Sequence, residues 1–414
     1  MKKLIFSILT VTLLIPVLSF SDRVNYTKVS YDQVVSRVSS ENLTIYKGAL
    51  KVYQAKKSIS VARGNLLPKL NIWRVFSIPF DPREALGVIE DLAPFLIPAN
   101  WFQLKASKDF YRAEVEGYKT LWANEVMTAK SLYLQLLYDR TLFQNIVKGK
   151  EEMDKILVII KTRELLGEVP PGTSREVEVR MLALDEDARS LQLLIEEEAT
   201  LLAQMLGYPV TTKLELRPVE LVDFEQHTPI KYRDYEDRVL KVSSELRQYT
   251  FLIHASTYVR KEAYFSLFGI GTLTRGVAGG IFDNVPMQDG LGFGTPASVK
   301  IAKSQTAMLT AQKQGASETL KRQLQLVVTN YNLRIANIGG IKKRVSLSWA
   351  INSQLYERLT LGENVEMLAL LEGSRNLIQA QTAFTQAQYQ FLMEQDKIMR
   401  LTLNADYSRN PLKD

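Results

Sequence analysis

The chain has 414 residues, 46% of them apolar and 23% charged, the composition of a folded protein and not of a disordered one. It has no cysteine and only two histidines, His227 and His254. That excludes disulfides, thiolate metal sites and a lipid-bearing cysteine, and leaves no material for a histidine-based catalytic or zinc centre. The formal charge of +7 is spread along helix faces beside acids, as at Glu151, Glu152, Asp154 and Lys155, so it reads as solvated surface and not as a nucleic-acid footprint.

Lys2 and Lys3 precede an apolar run from Leu4 to Leu18, and Ser19 and Ser21 supply small residues at −3 and −1. This predicts a secretory signal peptide over residues 1–21. No later stretch offers about twenty uninterrupted apolar residues, so no spanning helix is expected. From Val29 to Ala62 the periodicity is helical, with a restart at Ser39-Ser40-Glu41-Asn42, where Ser or Asn would serve as the cap. After Pro68 the period changes to two: Leu70, Ile72, Arg74, Phe76, Ile78 and Phe80 alternate with their neighbours. That predicts a strand of about ten residues, the length a tilted membrane strand needs. A proline-rich loop follows to Asn100, and Trp101 to Ala106 is a candidate return strand.

A very long helix is expected from Phe110 to Leu166. Its heptad positions, among them Tyr118, Trp122, Ala129, Leu136, Met153 and Ile160, are mostly apolar and no proline interrupts them. An element of that length, roughly 85 Å, suits a coiled-coil shaft. Gly167 ends it, Pro170-Pro171-Gly172 turns the chain, and Ser174 is the expected cap of a helix running to Leu206. Residues 210–230 read as a polar connector.

Then the plan restarts. Val242-Ser-Ser-Glu245 echoes Val38-Ser-Ser-Glu41. A helix leads to a strand candidate at Tyr264 to Gly271, a Gly-rich loop spans Gly276 to Gly290, and Gly292 to Ile301 is the second candidate return strand. A second long helix runs from Ala302 to Leu361. The entry signal Arg358-Leu-Thr-Leu-Gly362 repeats Arg163-Glu-Leu-Leu-Gly167, followed by a polar step at Glu363 and Asn364. In the last helix Leu370, Leu377, Ala380, Phe384, Ala387, Phe391, Ile398 and Leu401 fall on one stripe. The reading is two tandem repeats over 22–226 and 227–406, with a polar tail at 407–414. Four amphipathic strands per chain leave two edges that lipid cannot satisfy. Closure therefore calls for a symmetric ring of several chains.

Four places in this order resemble the TolC-like outer-membrane efflux proteins: Ala62 to Asn71, Arg163 to Leu191, Leu201 to Pro209, and Gly362 to Leu401. The resemblance spans the mature chain. It implies a mainly α fold with a membrane β part: one third of a homotrimer with a twelve-stranded barrel in outer-membrane lipid and a helical barrel in the periplasm of a Gram-negative bacterium. It implies a passive conduit that catalyses nothing, needs no cofactor or metal, and works with a periplasmic adaptor protein and an inner-membrane transporter in efflux or type I secretion. By position it implies periplasmic gate candidates at Glu372, Glu176 and Leu359, and adaptor-docking turns at Gly167, Ser174, Gly362 and Asn364. The family's gate tyrosine falls on Leu359 and a neighbouring acid on Ala369, departures from its pattern. The alternatives are an adaptor-like or structural periplasmic coiled coil and, more remotely, an exported enzyme.

Overall fold

The computed structural model describes residues 26–68, 93–221, 227–265, 294–363 and 365–408. The chain opens with β1 (Tyr26–Val29), α1 (Tyr31–Glu41) and α2 (Leu43–Gly64). Asn42 separates the two helices: its side-chain oxygen accepts from the Thr44 and Ile45 amides, two of the donors a helix start leaves without partners. The sequence places Val29 in a helix; it sits instead at the end of β1, which pairs in parallel with β2 (Lys213–Leu216). The expected polar connector thus holds a strand. Its signal is the alternation Lys213-Leu214-Glu215-Leu216, of which both leucines are buried.

The spine is α3, Pro98–Leu165, of 68 residues and about 100 Å. It absorbs the first candidate return strand: Trp101 to Ala106 is helix, not strand. Pro98 stands at the first helical position, where its fixed φ and missing N–H cost nothing. The Asn100 amide donates to the Pro94 carbonyl at 2.9 Å and the Trp101 indole to the Phe95 carbonyl at 2.8 Å. Those bonds fold residues 94–101 back before a strand can begin. After α3 come α4 (Thr173–Met205), β2, α5 (Tyr232–Val242) and α6 (Ser244–Phe265). Then follow α7 (Thr295–Thr360) and α8 (Met367–Leu401). The second return-strand candidate is corrected likewise from Thr295 onward. Pro296 lies in the first turn of α7, and Ser298 and Ala302, four apart, are buried on one face. The strand candidate at Leu70 to Phe80, the Gly-rich loop, residues 266–271 of the third strand candidate and the signal peptide lie outside the described residues.

The helices match in length pair by pair. α1 and α5 have 11 residues each, α2 and α6 have 22 each, α3 and α7 have 68 and 66, and α4 and α8 have 33 and 35. Packing partners put them in side-by-side order: α2, α3, α6, α7 along one half of the length, and α4, α3, α8, α7 along the other. The expected stripe of α8 is observed, with Leu370, Leu377, Ala380, Ala387, Phe391 and Leu401 all buried. The outer helices keep unpartnered apolar side chains: Leu43 and Tyr46 on α2, Val179, Leu182 and Leu193 on α4, and Leu326, Leu333 and Ile351 on α7 are all exposed. Among the described residues no helix is long and apolar enough to cross a membrane.

The largest core cluster surrounds the β1–β2 ladder, with Tyr133, Leu134, Leu136, Leu202 and Leu206 at its centre. The Tyr133 hydroxyl reaches the carbonyls of Val29 and Arg217 at 3.0 and 2.7 Å. Beside it lies a buried charged group. Lys130 donates to Asp396 at 2.8 Å and to Asp406 at 3.2 Å, and Tyr31 donates to Asp396 at 2.5 Å. Burial and Asp396 together raise the Tyr31 phenol well above its usual range. This group fastens the beginning of the chain to its end.

Candidate functional site

The two Arg-x-x-Leu-Gly signals build the same stop. Gly167 and Gly362 both take the left-handed conformation, with φ of 76° and 81°. The amide after each glycine bonds back to the arginine carbonyl, Glu168 to Arg163 at 2.9 Å and Glu363 to Arg358 at 3.0 Å. Each glycine amide bonds to the residue three before it, Glu164 or Leu359. This is the Schellman arrangement, which a residue without Cβ adopts most cheaply. It places both hairpin turns at one end of the helical body, called here the turn end.

What surrounds the two stops differs. Arg163, at the end of α3, extends to the other turn: its guanidinium donates to the Leu359 carbonyl at 2.8 Å and to the Glu363 carbonyl at 3.1 Å. A cation at those carbonyls also suits the negative end of the α7 dipole. Arg358 stays local, on the Glu363 carboxylate at 2.7 Å. Glu164 receives the Gly172 amide at 2.5 Å and the Ser174 amide at 3.0 Å, so its carboxylate caps α4 from the preceding helix. Bonds from Ser174 and Gly172 hold this half-buried carboxyl below its usual range. Ser174 is therefore not the expected cap; helix α4 starts at Thr173 after Gly172, and Ser174 offers its amide instead. Beneath both turns lies an apolar cluster with Met153, Ile156, Ile160, Val177, Leu359, Leu370 and Leu371 buried.

The predicted site residues separate on this geometry. Gly167, Gly362, Glu176 and Glu372 are exposed at the turn end, and Ser174 is half-buried. Leu359 is 2% exposed and belongs to the cluster, not to an open surface. Asn364 lies outside the described residues. The clamp by Arg163 was not foreseen from the sequence, which marks that residue only as part of a repeated signal. Nor was the Lys130 group, since a lysine on a long amphipathic helix reads as solvated. Among the described residues no cluster of His, Asp or Glu could hold a metal ion. His227, half-buried, packs edge-on against Phe391 with ring centres 4.9 Å apart.

Solved structures similar to this arrangement include outer-membrane channels. The outer-membrane channel OprN superposes with a TM-score of 0.72 over 91% of this chain and 90% of its own, at 16% identity. The CmeC outer membrane channel of Campylobacter jejuni gives 0.71 over 90% and 85%, at 14% identity. The open state of the MtrE outer membrane channel of Neisseria gonorrhoeae gives 0.66 over 90% and 89%, at 12% identity. The chain has the outer-membrane channel fold. No family model and no curated protein matches its sequence, so the likeness rests on helix order and packing. The mainly α fold implied by the sequence resemblance is thus observed.

Proposed function

We propose that this chain is one third of a trimeric duct that carries solutes passively from the periplasm across the outer membrane of a Gram-negative bacterium. It catalyses no reaction. One observation carries the reading: a side-by-side layer of very long helices whose two outer edges, α2 with α4 and α7, keep exposed apolar side chains. Such edges call for further layers of the same kind, and copies of the chain placed edge to edge close into a ring. The matched helix lengths support two tandem repeats, 22–226 and 227–406, with residues 1–21 as signal peptide and 407–414 as tail. The segments between α2 and α3 and between α6 and α7 would each supply two strands to a shared twelve-stranded barrel.

In this reading the turn end is the periplasmic mouth. Glu372 and Glu176 are its acidic gate side chains, and Leu359 acts beneath them as packing. A periplasmic adaptor docks at the turns around Gly167, Ser174, Gly362 and Asn364 and brings an inner-membrane transporter to the mouth. The test is membrane fractionation followed by a denaturing gel of unheated sample. The expected outcome is an outer-membrane band near three times the chain mass that collapses on boiling. Recovery as a soluble periplasmic monomer sinks the proposal.

A further inference from the structure

The two ends of the helical body are charged with opposite sign. At the end away from the turns, four helix termini meet: the ends of α2 and α6 and the starts of α3 and α7. Asn65 bonds Gln103 at 3.2 Å, Phe102 stacks on Phe265 with centres 5.3 Å apart, and the Ser256 and Thr306 hydroxyls meet at 2.7 Å. Residues 56–66, 98–112, 256–265 and 294–304 together hold ten lysines and arginines against two acids. At the turn end, residues 150–190 and 345–375 hold nine against fourteen.

The two acids do little to balance the collar. Asp109 is buried against Arg112 at 2.9 Å, and burial pushes the Glu262 carboxyl up to about 8. Among the described residues Arg112 alone of the ten is ion-paired. Lys56, Lys57, Arg63, Lys108, Lys300 and Lys303 are exposed. Lys105 and Lys261 lie 5.6 to 5.8 Å from the ring centres of Phe102 and Tyr258. Trp101 and Tyr264 stand out at the same level, 47% and 57% exposed. Unpaired cations interleaved with exposed amphipathic rings match a membrane–water interface: rings settle at headgroup depth and cations face phosphates.

We propose that this collar seats on the headgroups of anionic phospholipids, phosphodiesters of the phosphatidylglycerol kind, at the membrane face from which the helical body projects. The proposal rests on the outer-membrane reading above, because that reading puts a bilayer just past this end. Lysines suit the role, since their long stems can lie along apolar surface while the ammonium meets the phosphate.

The experiment uses the purified full-length protein in neutral detergent. Its thermal unfolding is followed while phosphatidylglycerol or phosphatidylethanolamine is titrated in. Phosphatidylglycerol is expected to raise the transition at a concentration at least about tenfold lower than phosphatidylethanolamine does. That preference should vanish in about 1 M salt, where the screening length falls to about 3 Å. The variant Lys105→Gln/Lys108→Gln/Lys300→Gln/Lys303→Gln should lose it, while Arg175→Gln/Arg180→Gln at the turn end should keep it. The salt arm uses the unaltered protein and stands even if the quadruple variant does not fold. Equal response to the two lipids overturns the proposal. So does an equal response to glycerol phosphate, which would mark a free-phosphate site, or to polyglutamate, which would mark an acidic protein partner. An outer-membrane protein without lipid preference refutes the collar and leaves the duct; a soluble protein on fractionation refutes both.

Discussion

The first turn and the second turn begin from one five-residue signal and end differently. Glu164 and Leu359 hold the same place in it. One is a half-buried carboxylate that caps the following helix; the other is a side chain fully buried under both turns. Arg163 and Arg358 also correspond, yet Arg163 spans to the other turn and Arg358 binds its own. The start of α8 shows no side-chain cap. So the first turn is fastened from within its own hairpin, and the second, beyond its Arg358–Glu363 pair, takes donors from the first. A duplicated signal preserves the local stop, and the side chains around it decide which hairpin depends on which.

Six substitutions at five positions test that asymmetry. The largest effect is expected from Leu359→Ala, which empties part of a closed apolar cluster. It should cost about 2–5 kcal/mol in chemical unfolding, while Glu164→Ala at the corresponding place should cost far less. Comparable losses would mean that the two places are not built differently. Next is Arg163→Met. It removes charged donors from two carbonyls, worth about 1.5–3 kcal/mol together, and limited proteolysis should then cut residues 361–366 before 167–172. Preferential cutting of the first turn would contradict the borrowed fastening.

Smaller and equal effects are expected from Gly167→Ala and Gly362→Ala. An added Cβ meets nothing within 4 Å at either site, so the cost is backbone strain alone, about 1 kcal/mol each. A clear inequality in their unfolding midpoints would show that the stops differ locally as well. The smallest change is expected from Glu164 on acidification. Its carboxyl is held below its usual range in the folded chain. The stabilisation is therefore present above the ordinary glutamate pKa and is lost as pH falls through the lowered folded value. Hydrogen exchange corrected for intrinsic rate should show the Gly172 and Ser174 amides losing protection over that acid range. Glu164→Gln should remove the pH dependence and leave the second turn unchanged.

Much of the fold was legible because long helices advertise themselves over many turns. The heptad positions Tyr118, Trp122, Ala129, Leu136, Met153 and Ile160 of α3 are all buried, and the α8 stripe faces inward as its spacing demands. The misreadings share a cause. Trp101 to Ala106 and the Thr295 to Ile301 part of the second candidate are short, and over so few residues apolar spacing cannot separate strand from helix when a proline at the helix start is the deciding feature. β2 was missed because four residues carry too little pattern to stand out from a polar stretch. At the turn end, the glycines were readable from their place after a periodic run. The clamp was not, because Arg163 and Glu363 are 200 residues apart and no local spacing encodes that meeting.

The buried group at Lys130 has a consequence in time. Tyr31 and Asp396 meet across a sequence separation of 365 residues, and Lys130 and Asp406 across 276. A lysine enclosed without its carboxylates would cost several kcal/mol, so this packing is stable only with both acids in place. Contacts this distant in sequence also form slowly. Completing this group therefore requires nearly the whole chain to be present. A chain cut before residue 396 lacks both of the acids that Lys130 pairs with.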